Sequence, residues 1–167
     1  MDSIVNKIAV SGIITIDPVD FLPKEEILVF DLKPFLFREL ILKEKDFREA
    51  LKNQDWEQYR DKTVAVTCSA DAIIPMWAFM LVTSYLASVA SDILFGDNEE
   101  AIRQSAIKSV DKLDLEEFRD QRLVLKGCGD RAVPADVYIA LMKKLKPVVK
   151  SVMFGEPCST VPVYKKK

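Results

Sequence analysis

Three cysteines, Cys68, Cys128 and Cys158, each follow a short apolar run, and the chain holds no histidine. Thiol chemistry without imidazole has two main forms. Three thiolates can hold a borderline cation such as Zn²⁺, at about 2.3 Å from each sulfur, or iron in an iron-sulfur centre. A single thiolate of lowered pKa can instead act as a nucleophile. Missing imidazole removes Ser-His-Asp and Cys-His pairs and every His-ligated metal or haem site. Asp71 and Asp130 lie within three residues of Cys68 and Cys128. The metal reading therefore takes Cys68, Cys128 and Cys158 as ligands of zinc or iron, with Asp71 or Asp130 completing the shell. The nucleophile reading takes the thiolate of Cys128 or Cys68, Asp71 as acid/base and Arg131 as an anion contact, in a hydrolase or transferase. A third reading leaves the cysteines as small apolar groups filling the core of an interaction domain. Asp71 also has a plainer role as helix cap, with Ser69 as competitor.

For either site to form, the thiols must be brought together by the fold. Thr63 to Thr67 is rich in β-branched residues and runs directly into Cys68; it predicts a strand. Leu123 to Leu125 precedes Lys126-Gly127-Cys128, and Val148 to Phe154 precedes Gly155-Glu156-Pro157-Cys158, so each cysteine is expected just past a strand. Parallel strands would put all three at one carboxyl edge, where open α/β folds form ligand crevices. Two further strands are expected at Ile8 to Ile16 and Ile27 to Phe30, the latter ending at Asp31. Helical periodicity places helices at Asp46 to Asn53, Glu99 to Leu113 and from Pro134 to Pro147. The uncharged run Ala72 to Ser91 is long enough to span a bilayer, but Pro75 and several hydroxyl residues inside an otherwise charged chain favour a buried core helix. Alternating strands and helices predict an α/β fold, a three-layer sandwich with a mostly parallel sheet and helices on both faces.

Composition bounds the rest. The 167 residues carry 24 Lys+Arg against 26 Asp+Glu, a net charge of −2. This length suits one domain over residues 1–167, and no repeat or linker marks an internal boundary. Balanced charge argues against nucleic acid, and Lys165 to Lys167 reads as a solvated tail. An odd cysteine count and no secretory pattern lead to an expectation of a reducing cytoplasm and no membrane.

Glu44-Lys45-Asp46-Phe47-Arg48, Cys68-Ser69-Ala70-Asp71-Ala72-Ile73-Ile74-Pro75 with Trp77-Ala78, and Phe154-Gly155-Glu156-Pro157-Cys158-Ser159-Thr160-Val161-Pro162 together resemble a bacterial family of unknown function, the DUF2480 type. The resemblance covers almost the whole chain and takes in the three cysteines. It implies no established activity. Its members look like neighbours of iron-sulfur assembly genes, which implies an accessory role in iron-sulfur or sulfur metabolism with an iron-sulfur assembly protein as partner; a homo-oligomer is the other partner expected.

Overall fold

The computed structural model describes residues 5–6, 12–127, 129–156 and 159–167, with only the backbone described for 5–6. The chain divides into two compact units: a continuous one, Pro23–Gln104, and a split one, Met1–Leu22 with Ser105–Lys167.

In the continuous unit β1 (Leu28–Asp31), β2 (Thr63–Thr67) and β3 (Asp92–Phe95) form a wholly parallel sheet with β2 in the middle. Successive residues of β2 go to opposite faces. Val64 and Val66 enter a cluster with Ala78, Val82 and Leu86, spaced four apart on α1 (Met76–Leu86), whereas Ala65 packs with Leu94 and Ala101. The first cluster also takes Phe47 and Leu51, the apolar stripe of α2 (Glu44–Lys52), which lies earlier in the chain. Leu36–Phe37 and Ile41–Leu42 form a small hairpin.

The uncharged run is not one long helix. Pro75 holds extended backbone at the N-cap, so α1 starts at Met76, and the run's end feeds β3, a strand not expected from the sequence. Met76 and Met80 are 69% and 71% exposed, so only one face of α1 is core. Among the described residues no helix is long and apolar enough to cross a membrane.

The split unit holds a five-stranded sheet in the order β4 (Val5–Asn6), β5 (Ile13–Ile16), β6 (Arg122–Leu125), β7 (Ser151–Glu156), β8 (Ser159–Lys165). Its centre, β5-β6-β7, is parallel, and β4 and β8 flank it in antiparallel fashion. Between β6 and β7 runs α3 (Ala135–Leu145), which buries Val137, Leu141 and Leu145. A fourth helix, α4 (Asn98–Asp111), belongs to both units by sequence. The terminal lysines are not simply a free tail: Lys165 pairs with Ser151 in β8, and the Lys166 backbone N–H donates to the Lys150 carbonyl.

The fold is thus mixed α/β with parallel pairing at the centre of both larger sheets, and it corrects the expectation that repeats are absent. Glu57, Arg60, Asp61, Asp71, Pro75, Phe95 and Gly96 are each followed 59 positions later by the same residue: Glu116, Arg119, Asp120, Asp130, Pro134, Phe154 and Gly155. Local structure repeats with them. Glu57 pairs with Arg60 and Glu116 with Arg119. Asp61 and Asp120 take φ of 58° and 57°, and their N–H groups donate to the Val89 and Val148 carbonyls. Pro75 and Pro134 stand at the N-caps of α1 and α3. Gly96 and Gly155 adopt φ of 123° and 125°, which favours glycine at the strand end. Each unit therefore contains one strand-loop-helix-strand motif, and each motif pairs with an earlier strand, β1 or β5, ending at Asp31 or Ile16-Asp17.

Leu86 and Leu145 occupy matching positions and are both fully buried. Leu86→Ala and Leu145→Ala are each expected to cost about 2–5 kcal/mol, read from urea unfolding. Lys62→Ala, which removes an exposed pair with Glu25, is expected to stay within about 0.5 kcal/mol.

Candidate functional site

The carboxyl ends of β5, β6 and β7 leave a pocket of about 450 Å³ in the split unit. Asp17 and Val19 line it from the turn after β5, Lys126, Gly127, Gly129, Arg131, Ala132 and Val133 from the β6–α3 loop, Tyr138 from α3, and Phe154 from β7. Parallel pairing creates this arrangement, because Ile16 is in register with Leu125 and Leu125 with Phe154. The next residues, Asp17 and Lys126, therefore emerge side by side, and Lys126 N–H still donates to the Ile16 carbonyl at 2.9 Å.

Asp17 Oδ1 accepts from Val19 N–H at 3.1 Å, and Oδ2 meets Lys126 Nζ at 3.4 Å. That bond, with the charge of Asp17, holds the Lys126 ammonium above its ordinary pKa, so it stays cationic. Tyr138 donates its hydroxyl to the Lys126 carbonyl at 3.2 Å, anchoring the loop from α3. Its ring meets Phe154 edge to face, with centroids 5.7 Å apart. A Cβ on Gly127 would lie 2.6 Å from Phe154 Cζ, so glycine is required for the ring to sit there.

In the continuous unit Asp31 holds the position of Asp17, but with different partners. Its Oδ1 accepts from Lys33 N–H and Ser69 N–H, both at 2.9 Å, and its Oδ2 from Ser69 Oγ at 2.5 Å. Burial opposes ionisation, yet the Ser69 hydroxyl and the two N–H donors outweigh it and hold Asp31 below its ordinary pKa. The Phe79–Phe95 edge-to-face pair at 5.3 Å repeats Tyr138–Phe154. The cations do not repeat: Thr67 and Ala72 stand where the split unit has Lys126 and Arg131.

The cysteine expectation meets a different topology. Cys68 follows a strand of the three-stranded sheet, whereas the strands before Cys128 and Cys158 belong to the five-stranded sheet, so the three strands do not share one sheet edge. Cys128 and Cys158 themselves lie outside the described residues. Cys68 is a free, half-buried thiol with its sulfur 3.8 Å from the Ala70 carbonyl oxygen. Asp71 and Asp130 are exposed. Neither caps a helix, because Pro75 and Pro134 hold those positions and no side chain bonds there; Ser69 binds Asp31 instead. Among the described residues no group of three or more Cys, Asp or Glu could hold a metal ion.

Of the residues singled out by sequence, Arg131 lines the pocket; the chain neighbours of Cys128, Gly127 and Gly129, line it as well. Sequence reading missed Asp17, Lys126, Tyr138 and Phe154. The available signal was positional, since Asp17, Lys126 and Phe154 lie at strand carboxyl ends.

The chain matches over residues 2–166 the family described as a protein of unknown function, DUF2480. No curated protein and no solved structure matches it.

Asp31→Ala is expected to lower stability by about 0.5–1.5 kcal/mol at neutral pH, since it removes three hydrogen bonds whose donors lie near enough to the surface to turn to water. A carboxyl with a depressed folded pKa stabilises above its unfolded value and loses that contribution as pH falls through the folded one. The Asp31 contribution should therefore be complete above about pH 5 and fade below about pH 4. Urea unfolding of the parent and Asp31→Ala chains across that range checks this; a difference that does not shrink in acid contradicts it.

Proposed function

The chain belongs to the DUF2480 family, a membership that brings no activity with it, and we propose that it binds a small anionic molecule in the split-unit pocket and uses as nucleophile the thiol of Cys128, the chain neighbour of the pocket-lining Gly127 and Gly129. One observation carries the reading. The same motif folds in the continuous unit with Thr67 and Ala72, so Lys126 and Arg131 are not demanded by the scaffold. Two cations placed at the carboxyl ends of parallel strands suit an anion, with guanidinium supplying a planar fork and ammonium a point charge.

Lys126 and Arg131 stand two and three residues from Cys128 in the chain, and positive charge beside a thiol favours the thiolate, which needs no histidine to activate it. In this reading the Cys128 thiolate displaces a leaving group from the bound molecule, and water or a second acceptor then takes the transferred group from sulfur. That is a thiol-dependent hydrolysis or transfer. A cytoplasmic setting, where thiols stay reduced, belongs to the same proposal. A three-layer arrangement is part of it for the continuous unit alone, supported by the division of Val64, Ala65 and Val66 between two apolar clusters.

The competing reading keeps zinc or iron on Cys68, Cys128 and Cys158, with Asp71 or Asp130, in an accessory of iron-sulfur or sulfur metabolism. The free, partly accessible thiol of Cys68 is what favours it. One experiment separates the readings: elemental analysis of chain purified anaerobically without chelator, with timed alkylation of each thiol followed by peptide mass spectrometry. Metal-free protein in which Cys128 reacts at least about tenfold faster than Cys68, and is slowed by added anion, is the expected result. About one zinc or iron per chain with all three thiols masked would establish the metal instead. Three slow thiols without metal would leave an interaction domain with core cysteines.

A further inference from the structure

The pocket is too large for a bare oxyanion. At about 450 Å³ it falls among cavities that hold whole organic ligands, about 300–1,000 Å³, whereas Lys126 and Arg131 need only one charged group between them. What occupies the remainder can be read from the two copies of the motif. The edge-to-face aromatic pair is present in both, so it belongs to the scaffold. The side chains around it differ in size. Gly127, Gly129 and Ala132 stand where the continuous unit carries Cys68, Ala70 and Ile73, and Ile73 is 95% exposed. Phe154 itself lines the pocket with Lys126 and Arg131 and is 40% exposed, so its ring has a face to offer a ligand held by those cations.

Resting on the anion-pocket reading above, we propose that the ligand is an anion carried on a planar ring, an aromatic carboxylate or an aryl phosphate, with its charge at Lys126 and Arg131 and its ring against Phe154. Ring–ring contact adds to simple apolar burial and selects a flat body over a puckered one. Asp17 limits the class further. Its carboxylate is held by Val19 N–H and Lys126 and stands beside the cations, so a ligand with a second negative group on that side would meet like charge.

The test uses the full chain and isothermal titration with six probes: benzoate, cyclohexanecarboxylate and acetate, and phenyl phosphate, cyclohexyl phosphate and inorganic phosphate. The ring-bearing member of each series is expected to bind at least about tenfold more tightly than the bare anion, and more tightly than its cyclohexyl counterpart. The series with the higher affinity identifies the anionic group. Phe154→Leu should cut the aromatic-to-bare ratio to below about threefold, and Gly127→Ala, which forces the ring to move, should do the same by a different route. Lys126→Met should weaken every probe that binds. Equal affinity for ring-bearing and bare anions, or an unchanged ratio in both ring variants, overturns the aromatic assignment and leaves the anion pocket standing. No binding by any probe, with Cys128 alkylation unaffected by them, overturns both.

Discussion

Parallel pairing is the constraint from which the rest follows. In the split unit, β6 lies between β5 and β7 with all three running the same way, so every turn that leaves their carboxyl ends opens on one edge. Backbone donors at that edge need partners once the ladder stops. Lys126 N–H finds the Ile16 carbonyl in the split unit, and in the continuous unit Leu32 N–H, one residue past β1, finds that of Thr67. An aspartate stands at the carboxyl end of the outer strand of the parallel three in each case, Asp31 as the last residue of β1 and Asp17 just past β5, and bonds to the loop after the central strand. The edge is therefore polar in both units before any question of function arises.

The two units answer this constraint differently, and magnitudes show how. Asp31 accepts three short hydrogen bonds from its own neighbourhood, an arrangement that satisfies the carboxylate and ties the loop at Ser69 to β1. Such charge-assisted bonds are worth more than neutral ones. Asp17 and Lys126 meet at 3.4 Å with side chains 30% and 36% exposed, and a solvated pair of that kind adds about 0–1 kcal/mol. It does little to hold the loop down. Orientation is the better account of it: Asp17 keeps an ammonium at the pocket wall that would otherwise sample solvent, and keeps it protonated.

Much of the fold was legible because single segments announced themselves. The β-branched run at Thr63 to Thr67, the helix opening beside Pro134, and the apolar stripe of Phe47 and Leu51 all form as expected. Strand β3 was hidden because Ser91-Asp92 interrupts the apolar pattern just where the strand begins. The repeat was hidden for another reason. Its identities are scattered, mostly in backbone punctuation and ion pairs, whereas many core positions exchange one apolar residue for another, Val64 for Leu123 and Val82 for Leu141, with little cost when volume is roughly kept. The site was half legible. Arg131 was singled out beside a thiol, but placing all three cysteines on one edge assumed one sheet, and sheet membership is set by long-range pairing that no local pattern records.

Gly129 bears on why the split-unit pocket exists at all. Glycine weakens a folded chain because it has more freedom to lose, typically by about 0.5–1 kcal/mol relative to alanine within regular structure, so its presence calls for a local reason. Gly155 has one in its φ of 125°, and Gly127 has one in the Phe154 ring that a Cβ would strike. Gly129 has neither: its φ lies outside the left-handed range, and a Cβ there would meet Val19 at an ordinary 3.4 Å. The matching residue of the continuous unit is alanine, Ala70, in the same kind of loop. Folding therefore does not ask for glycine at this position. What the missing methyl provides is room at the pocket wall, on the loop that carries Lys126 and Arg131, and room there is of use to a ligand rather than to the fold.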